Sequence, residues 1–228
     1  MSTPNERLAA IEFDKWAVAG RGDSMAEGHK PAMIEATAGW AIDSSSVVVD
    51  VGCGNGWTLR QLIENGQGQG YGFDISKAMI AQGRQRGGMG ISLEVAPADK
   101  LPLPNGVATH ILNVESIYYY PSPLEALREW ARIASPGCHL SIVLDLYEEN
   151  PGSHSWINAL EINVHLLSAP ECVELATEAG WREVTWRQVP NQKSPKRREE
   201  FTPSKFWPSY EMYLSTYSAG SLVVEGVR

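Results

Sequence analysis

The sequence has 228 residues, of which 43% are hydrophobic, and its formal net charge is −8. This length suits one domain with added segments, and an acidic surface repels a phosphate backbone, so we expect no nucleic-acid partner. No apolar run approaches the roughly 20 residues of a membrane span, and the polar N-terminus lacks the apolar region of a signal peptide, so we expect no membrane partner. Three widely separated cysteines without metal-ligand spacing favour a cytoplasmic location.

From residue 47 onward, strand patterns alternate with helix patterns. The predicted strands are Val47–Val51, 70–73, Ile91–Val95, 109–114, 140–146, 181–189 and Ser221–Val227. Helices are predicted after the first strand, from the N-cap residue Ser76, over 123–134 and over 170–179. Strands joined by helical crossovers predict an α/β fold with a mostly parallel sheet and helices on both faces. Ligands bind such sheets beyond the carboxyl ends of the strands.

Three segments lie outside this alternation. Residues 1–40 carry a helical pattern followed by a turn-rich patch over 20–28, and we expect an N-terminal helical cap. Residues 41–228 are expected to form the main domain, with lid insertions at about 151–167 and 190–220. The second insertion has four aromatic residues at the three-and-four spacing of one helical face: Trp207, Tyr210, Tyr213 and Tyr217. This spacing favours a packed lid, and a substrate cage is the alternative.

The stretch VVVDVGCGNGW, from Val47 to Trp57, runs a buried strand directly into three glycines on alternate positions. Glycine permits positive φ angles and lets a ligand approach the backbone, and the helix that follows presents free N–H groups. The G-x-G-x-G spacing differs from the G-x-G-x-x-G of dinucleotide folds, and the loop has no lysine to hold a phosphate. Asp74, at the end of the second strand, offers a carboxylate to both hydroxyls of a ribose; a helix cap before Ser76 is the alternative.

Together these motifs resemble the class I S-adenosylmethionine-dependent methyltransferases, in particular the small-molecule branch called methyltransferase type 11. VVVDVGCGNGW is similar to the first motif of that family, YGFDIS to the second, APADKLPLPNG to the third, HILNVESIYYY to the fourth strand and LREWARIASPGCHLSIVLD to the following segment. The resemblance covers about residues 45–150. It implies a Rossmann-like, doubly wound sheet of seven strands with an antiparallel last strand, and S-adenosyl-L-methionine as the cofactor, with S-adenosyl-L-homocysteine as the product.

The resemblance also implies which residues contact the cofactor. Asp74 would bind the ribose, and Asp99 would meet the adenine amino group unless it is merely a turn residue. Asp50 would shape the loop or contact the cofactor, and Cys53 would contribute its backbone while its thiol does nothing. The full expected set is Asp50, Gly52, Cys53, Gly54, Asn55, Gly56, Asp74, Ile75, Met79, Ala98, Asp99, Asn113, Val114 and Glu115, with Arg21 and Met25 from their position alone.

Methyl transfer from a sulfonium is an in-line displacement, for which the protein mainly aligns the acceptor with the methyl carbon. An oxygen acceptor usually needs a general base, whereas an amine, a thiol or an activated carbon needs less, so the sequence leaves the base open. The catalytic candidates, each with simple packing or exposure as the alternative, are His29, Glu115, Tyr118, Tyr119 and His154. We expect no metal site.

We therefore expect an enzyme that methylates a small molecule, as a monomer or homodimer. Two alternatives stay open: a non-catalytic S-adenosylmethionine-binding scaffold, and a nicotinamide-dependent oxidoreductase, against which the glycine spacing counts. The fourth strand is followed by Asn-Val-Glu-Ser rather than an Asn/Asp-Pro-Pro-aromatic motif, which argues against amide or base nitrogen acceptors. The basic run over 193–198 is expected to be a solvated loop.

Overall fold

The computed structural model describes residues 3–63, 67–160, 162–192 and 194–228. Glu161, in the predicted insertion over 151–167, and Lys193, in the predicted insertion over 190–220, lie outside the described residues. The strands are β1 (Val47–Val51), β2 (Gln69–Asp74), β3 (Ile91–Val95), β4 (Ala108–Val114), β5 (Ala134–Leu144), β6 (Arg182–Val189) and β7 (Ser221–Val227). The helices are α1 (Pro4–Val18), α2 (Arg21–Ala36), α3 (Trp57–Leu62), α4 (Lys77–Arg86), α5 (Pro123–Ile133), α6 (Ser155–Ala159), α7 (Ala169–Glu178) and α8 (Tyr210–Ala219).

The seven strands form one sheet in the order β3-β2-β1-β4-β5-β7-β6. The pairs from β3 to β5 are parallel, and β7 runs antiparallel to both β5 and β6. The predicted Rossmann-like, mostly parallel sheet with an antiparallel last strand is therefore confirmed. The order reverses direction between β1 and β4, and a sheet of this kind opens a crevice at that point.

Alternate residues of the central strands face two different helical layers. On β4, Ile111 packs in the cluster that includes Leu127 of α5, whereas its neighbour Leu112 packs with Met33 of α2. All four side chains are fully buried. Strands buried on both faces are typical of parallel sheets, because the crossover helices cover them from each side. The sheet is thus a rigid platform for whatever its carboxyl edge holds.

The turn-rich patch predicted over 20–28 is wrong, since residues 21–28 belong to α2. Only Gly20 takes a left-handed conformation, with φ 70°, and it separates α1 from α2. Asp23, in the first turn of α2, accepts a hydrogen bond from Arg86 of α4 at 2.9 Å, and Met33 near its end is fully buried. Glycine, serine and aspartate favour turns locally, but packing of α2 on the sheet decides its structure.

The fifth strand begins earlier than predicted. Residues 134–139 were expected to form the helix end and a turn, but β5 starts at Ala134, which pairs with Ala108 of β4. The backbone N–H of Gly137 donates to the carbonyl of the last residue, Arg228, at 2.9 Å. Because both sides of this segment are paired, Ser-Pro-Gly continues an irregular strand instead of ending one.

The aromatic residues of the 190–220 segment pack against one another. Trp207 lies 5.5 Å from Trp156 and 5.7 Å from Tyr213, and Tyr213 lies 4.9 Å from Tyr217, measured between ring centroids. Tyr210 opens α8, while Trp207 precedes the helix. This is the packed arrangement that the spacing predicted; its role as a lid stays a prediction.

Gly152 makes the closest approach between the 151–167 insertion and α8. A Cβ on this residue would lie 2.3 Å from the backbone nitrogen of Thr216 and 2.5 Å from the carbonyl oxygen of Met212. We expect Gly152→Ala to lower the free energy of unfolding by about 1–3 kcal/mol, since backbone atoms cannot give way as a side chain can. Gly28→Ala is the control: a Cβ there meets nothing within 4 Å, and an exposed helical alanine should stabilise by about 0.5–1 kcal/mol. Urea unfolding measures both, and equal effects would contradict this packing.

Candidate active site

A cavity lies beyond the carboxyl ends of β1, β2 and β4. It consists of two hollows that share five wall residues: Phe13, Gly52, Asp74, Ser116 and Tyr119. Each hollow is named after a residue that lines it but does not line the other hollow. The His29 hollow is completed by Trp16, Gly22, Met25, His29, Cys53, Gly54, Asn55, Trp57, Met79, Val114 and Glu115. The Asp99 hollow is completed by Glu6, Ala9, Ile75, Ala98, Asp99, Tyr120, Pro121 and Ser122.

The glycine loop forms the floor where the two hollows meet. Gly52, Gly54 and Gly56 all have positive φ angles, of 76°, 52° and 74°. The N–H groups of Gly52 and Cys53 donate to the carbonyl oxygen of Phe73 at 2.7 and 3.0 Å, which ties the loop to the end of β2. A Cβ on Gly54 would meet nothing within 4 Å. Hydrogen bonds to β2 therefore fix the loop, and Gly54 leaves open space on the cavity side.

Asp74 stands at the junction of the hollows. One carboxylate oxygen accepts a hydrogen bond from the N–H of Gly54, and the other from the N–H of Ser76, each at 2.8 Å. Burial raises the pKa of this carboxyl, while hydrogen bonds from the N–H groups of Ser76, Gly54 and Ile75 lower it. A carboxylate has about four acceptor positions, so Asp74 can still accept a hydrogen bond from a ligand. The helix-cap role and a ligand-binding role are thus compatible in one side chain.

Three ionisable side chains meet at the end of the His29 hollow. Nδ1 of His29, on α2, lies 3.1 Å from a carboxylate oxygen of Asp145, which directly follows β5. Glu115, which directly follows β4, accepts hydrogen bonds from the N–H of Asp145 and from the hydroxyl of Tyr118, the latter at 2.7 Å. One side-chain nitrogen or oxygen atom from each of His29, Glu115 and Asp145 lies within 4.8 Å of the other two, so the three groups form one cluster.

The electrostatics of this group are unequal. Burial, and then the charge of Asp145, raise the pKa of Glu115 to about 7, although the charge of His29 opposes them. Burial would also raise the pKa of Asp145, but the charge and hydrogen bonding of His29 hold it below its ordinary value. The negative charge therefore resides on Asp145, against the imidazole, while Glu115 titrates near neutral pH.

Comparison with known proteins decides the family. A protein-family model described as a methyltransferase domain matches residues 49–142. A chain of the complex between the Haloferax volcanii Trm112 methyltransferase activator and a methyltransferase is 31% identical, with a TM-score of 0.86 over 95% of this chain and 97% of that one. The protein belongs to the class I S-adenosylmethionine-dependent methyltransferases. Its predicted family, enzyme class and cofactor are thereby confirmed, and the nicotinamide alternative is disfavoured.

Other relatives agree with this membership. An S-adenosylmethionine-dependent methyltransferase from Mesorhizobium loti shares the fold, with 20% identity and a TM-score of 0.66 over 88% of this chain and 98% of that one. A probable chloroplastic tocopherol O-methyltransferase of Oryza sativa subsp. japonica is 30% identical over 122 residues, which cover 51% of this chain and 34% of that protein. The chain spans between 34% and 54% of the length of the first curated relatives that it matches.

Most of the cofactor-binding residues predicted for this methyltransferase line the cavity. Six of the predicted residues, among those described, lie outside its lining: Arg21, Asp50, Gly56, Asn113, Tyr118 and His154. Asn113 is fully buried and donates to the carbonyl oxygen of Val51 at 2.7 Å, so it joins the ends of β4 and β1. Nε2 of His154 lies 3.2 and 3.0 Å from the carbonyl oxygens of Tyr147 and Glu148, where it holds a turn.

Arg21 acts at the rim of the methyltransferase cavity. Its guanidinium lies 4.2 Å from the ring centroid of Trp16 and 4.9 Å from that of Phe206. Trp16 is itself a wall of the His29 hollow. Stacking of a cation between two rings is favourable by roughly 0.5–2 kcal/mol for each ring. Arg21 thus fastens the start of α2 to the 190–220 segment.

Asp50 lies behind the glycine loop. It is 1% exposed and accepts a hydrogen bond from the hydroxyl of Thr58 on α3. Burial raises its pKa to about 7. The thiol of Cys53, also buried, has a pKa raised well above its usual range, which keeps it protonated and inert. Both observations agree with a loop-shaping role for Asp50 and a purely backbone role for Cys53.

We expect Asp50→Asn to stabilise the methyltransferase at alkaline pH. A carboxyl whose pKa is about 7 when folded and near its ordinary 3.8 when unfolded destabilises the fold by up to about 4 kcal/mol at pH 8. This cost grows as the pH rises from the unfolded value through the folded one, so wild type and variant should converge near pH 4. Denaturant unfolding at pH 4 and pH 8 measures the difference. An equal gain at both pH values would mean that the charge is not its cause.

Sequence patterns missed two features of the site. Phe13 of α1 walls both hollows, but α1 precedes the methyltransferase motifs, and nothing in its helical pattern marks an inward face. Asp145 follows β5, inside a segment predicted to continue as strand to residue 146. An acidic residue directly after an apolar strand, at the carboxyl edge of a parallel sheet, was the available signal for Asp145.

Proposed function

We propose that this protein transfers the methyl group of S-adenosylmethionine to a small-molecule acceptor by in-line displacement. The observation that carries the proposal is the pair of adjoining hollows, with Asp74 and Gly52 in the wall that they share. Two adjoining hollows can accommodate two ligands side by side. Holding both ligands next to each other supplies the alignment that this displacement needs.

The Asp99 hollow and the junction suit the cofactor. Asp74 offers its remaining acceptor positions to the ribose hydroxyls, and the apolar Ile75 and Ala98 with the carboxylate of Asp99 suit an adenine ring and its amino group. Open space above Gly54 lets the methionine portion lie against the backbone. When bound, the cofactor supplies a methyl carbon already activated by the positive sulfur. These features of the chain fit S-adenosylmethionine.

The His29 hollow suits the acceptor. Its walls include the apolar and aromatic side chains of Phe13, Trp16, Met25, Trp57 and Tyr119. Helices α1 and α2 contribute to this wall, so an acceptor must be small enough to fit beneath them. Enclosure by apolar side chains also excludes water from the attacking atom. The tocopherol O-methyltransferase relative, whose name specifies a small acceptor, supports the same class.

A methyl-transfer assay tests the proposal. The purified protein is incubated with S-adenosylmethionine labelled in its methyl group and with a panel of small alcohols, phenols, amines and thiols. We expect S-adenosylhomocysteine to form and the label to enter at least one small compound. Tight binding of S-adenosylmethionine with no transfer to any class, including proteins and RNA, would favour the non-catalytic scaffold instead.

We also propose a protein partner of the Trm112 type. The support is the 31% identity to a chain that is complexed with that activator, over 95% of this chain. Several large apolar side chains are well exposed, among them Met89 at 78% and Ile11 at 54%. Size-exclusion chromatography with Haloferax volcanii Trm112 tests it. Co-elution at equal stoichiometry is expected, and independent elution at micromolar concentration contradicts the partnership.

No helix among the described residues is long and apolar enough to cross a membrane. The cytoplasmic location, the monomeric or dimeric state and the boundary at residue 40 stay predictions. The packing of α2 is relevant to that boundary. Ala32 and Met33 pack with Val143 of β5, so the proposed cap of residues 1–40 is partly built into the main domain.

A further inference from the structure

The ionisable group at the end of the His29 hollow is built for proton transfer. His29 is 92% buried and lines the hollow. Its Nδ1 lies 3.1 Å from Asp145. The charge of Asp145 stabilises the imidazolium that forms when the ring accepts a proton.

Asp145 is held firmly in place. Its second carboxylate oxygen accepts a hydrogen bond from the hydroxyl of Ser221 at 2.5 Å, and its carbonyl oxygen accepts one from the side chain of Asn150 at 2.7 Å. Its N–H donates to Glu115. Ser221 therefore holds the carboxylate that faces His29, while Asn150 and Glu115 hold the backbone of Asp145, as a positioning residue requires.

Glu115 places a second carboxyl group, with a higher pKa, beside the His29–Asp145 pair. It has a φ of 55°, a left-handed conformation that costs a non-glycine residue of the order of 1–3 kcal/mol and is concentrated at functional sites. Both of its oxygens already accept hydrogen bonds, from Asp145 and Tyr118. Glu115 therefore braces the pair. Among the described residues, Asp145 and Glu115 act on His29, Tyr147 and Tyr217 act on Asp145, and Tyr118 acts on Glu115.

We propose that His29 is the general base for methylation of a hydroxyl on an aromatic ring, with Asp145 as its positioning residue. This inference rests on the proposed function and names its acceptor class. The ring class follows from the walls: Phe13, Trp16 and Tyr119 pack edge to face at 5.0–5.4 Å and border the same hollow. Flat apolar walls suit a flat apolar ligand, and a base at the end suits a hydroxyl.

The proton and electron balance is as follows. The hydroxyl proton passes to the imidazole of His29 while an oxygen lone pair forms the bond to the methyl carbon. The bond from that carbon to sulfur breaks, and its electron pair stays on sulfur, which leaves S-adenosylhomocysteine. His29 then releases the proton to water. One proton is released for each methyl group transferred, and no oxidant or metal is consumed.

The test compares two acceptors, phenol and 4-nitrophenol, in wild type, His29→Gln and a control, His165→Gln. His165 is exposed and lies outside both hollows. We expect His29→Gln to slow methylation of phenol by about 10²–10⁴-fold. Methylation of 4-nitrophenol should slow much less, because that acceptor is largely ionised without a general base. The control should match wild type for both acceptors. Equal loss for the two phenols, or transfer to amines or thiols but to neither phenol, would overturn the proposal.

Asp145→Asn supplies a readout that a structural role would not move. The charge of Asp145 stabilises protonated His29, since the two interact favourably. The rate should rise with pH as His29 loses its proton, and this rise should move to lower pH in Asp145→Asn. The histidine titration followed by NMR should move in the same direction. An unchanged midpoint of the pH–rate profile would overturn the assignment of His29 as the base. Micromolar Mn²⁺ binding that Asp145→Asn abolishes would also overturn it.

Calorimetry with S-adenosylhomocysteine separates this proposal from the proposed function. His29→Gln should bind it with wild-type affinity, because His29 lies on the acceptor side. Failure of the wild-type protein to bind it would refute the methyltransferase function itself. Normal binding together with either contradictory result above would overturn only the role of His29.

Discussion

Replacing Asp74 by alanine is expected to lower the affinity for S-adenosylmethionine by about 100-fold while the protein stays folded. Hydrogen bonds to a charged group contribute about 1.5–3 kcal/mol each, and a factor of 100 corresponds to about 2.7 kcal/mol. Asp74 also anchors the N–H groups of Gly54 and Ser76, so the variant loosens the loop as well as losing the ribose contact. Calorimetric titration measures the affinity, and circular dichroism checks the fold.

Asp14→Ala is the matched control for this prediction. The Asp14 carboxylate accepts hydrogen bonds from the hydroxyl of Ser76 at 2.6 Å and from the N–H of Ala78 at 3.0 Å, so it caps the same helix, but it does not line the cavity. We expect Asp14→Ala to change the affinity less than about 3-fold, under 1 kcal/mol. An equal loss in both variants would assign the effect to the helix cap. An unchanged affinity in folded Asp74→Ala would remove the ribose assignment.

Gly52→Ala is expected to abolish measurable cofactor binding and to lower the free energy of unfolding by about 2 kcal/mol or more. A Cβ on Gly52 would lie 2.1 Å from the hydroxyl oxygen of Ser116 and 2.9 Å from that of Tyr120. These two side chains belong to the network that joins the ends of β1 and β4. The φ of 76° adds backbone strain of about 1–2 kcal/mol for any residue with a Cβ.

Gly106→Ala separates strain from collision. Gly106 has a similar φ, of 67°, but a Cβ there meets nothing within 4 Å. It should lose only the strain, and cofactor affinity should stay at the wild-type value. The double variant Gly52→Ala with Ser116→Gly removes the nearest atoms and should recover part of the stability. Wild-type cofactor affinity in Gly52→Ala alone would show that the loop is not the binding floor.

The parts of this fold that follow from the sequence are those coded locally. The apolar run Val47–Val51 and the glycines after it define β1 and the loop without any knowledge of distant residues. Ser76 caps α4 as predicted, with its hydroxyl accepting from the N–H of Met79 at 3.1 Å. Motif spacing along the chain then predicts where the carboxyl ends of the strands converge, which is why most of the predicted cofactor residues line the cavity.

The parts that did not follow depend on contacts far apart in the chain. His29 was a candidate base, but its partner Asp145 is more than a hundred positions away, and no local pattern joins them. The stretch from Gly20 to Gly28 reads as a turn until the sheet surface beneath it is known. Arg21 was predicted to contact the cofactor from its position alone, and no local pattern showed that its guanidinium lies over the rings of Trp16 and Phe206, which come from opposite ends of the sequence. Pairing of this kind is decided by the folded geometry.

The most direct test of the central claim is calorimetric titration of the purified protein with S-adenosylmethionine, S-adenosylhomocysteine and NAD. The two adjoining hollows, with Asp74 in their shared wall, predict micromolar binding of the two adenosyl sulfur compounds and no binding of NAD. Binding of NAD alone, or of none of the three, would contradict the assignment of this cavity to a methyl donor.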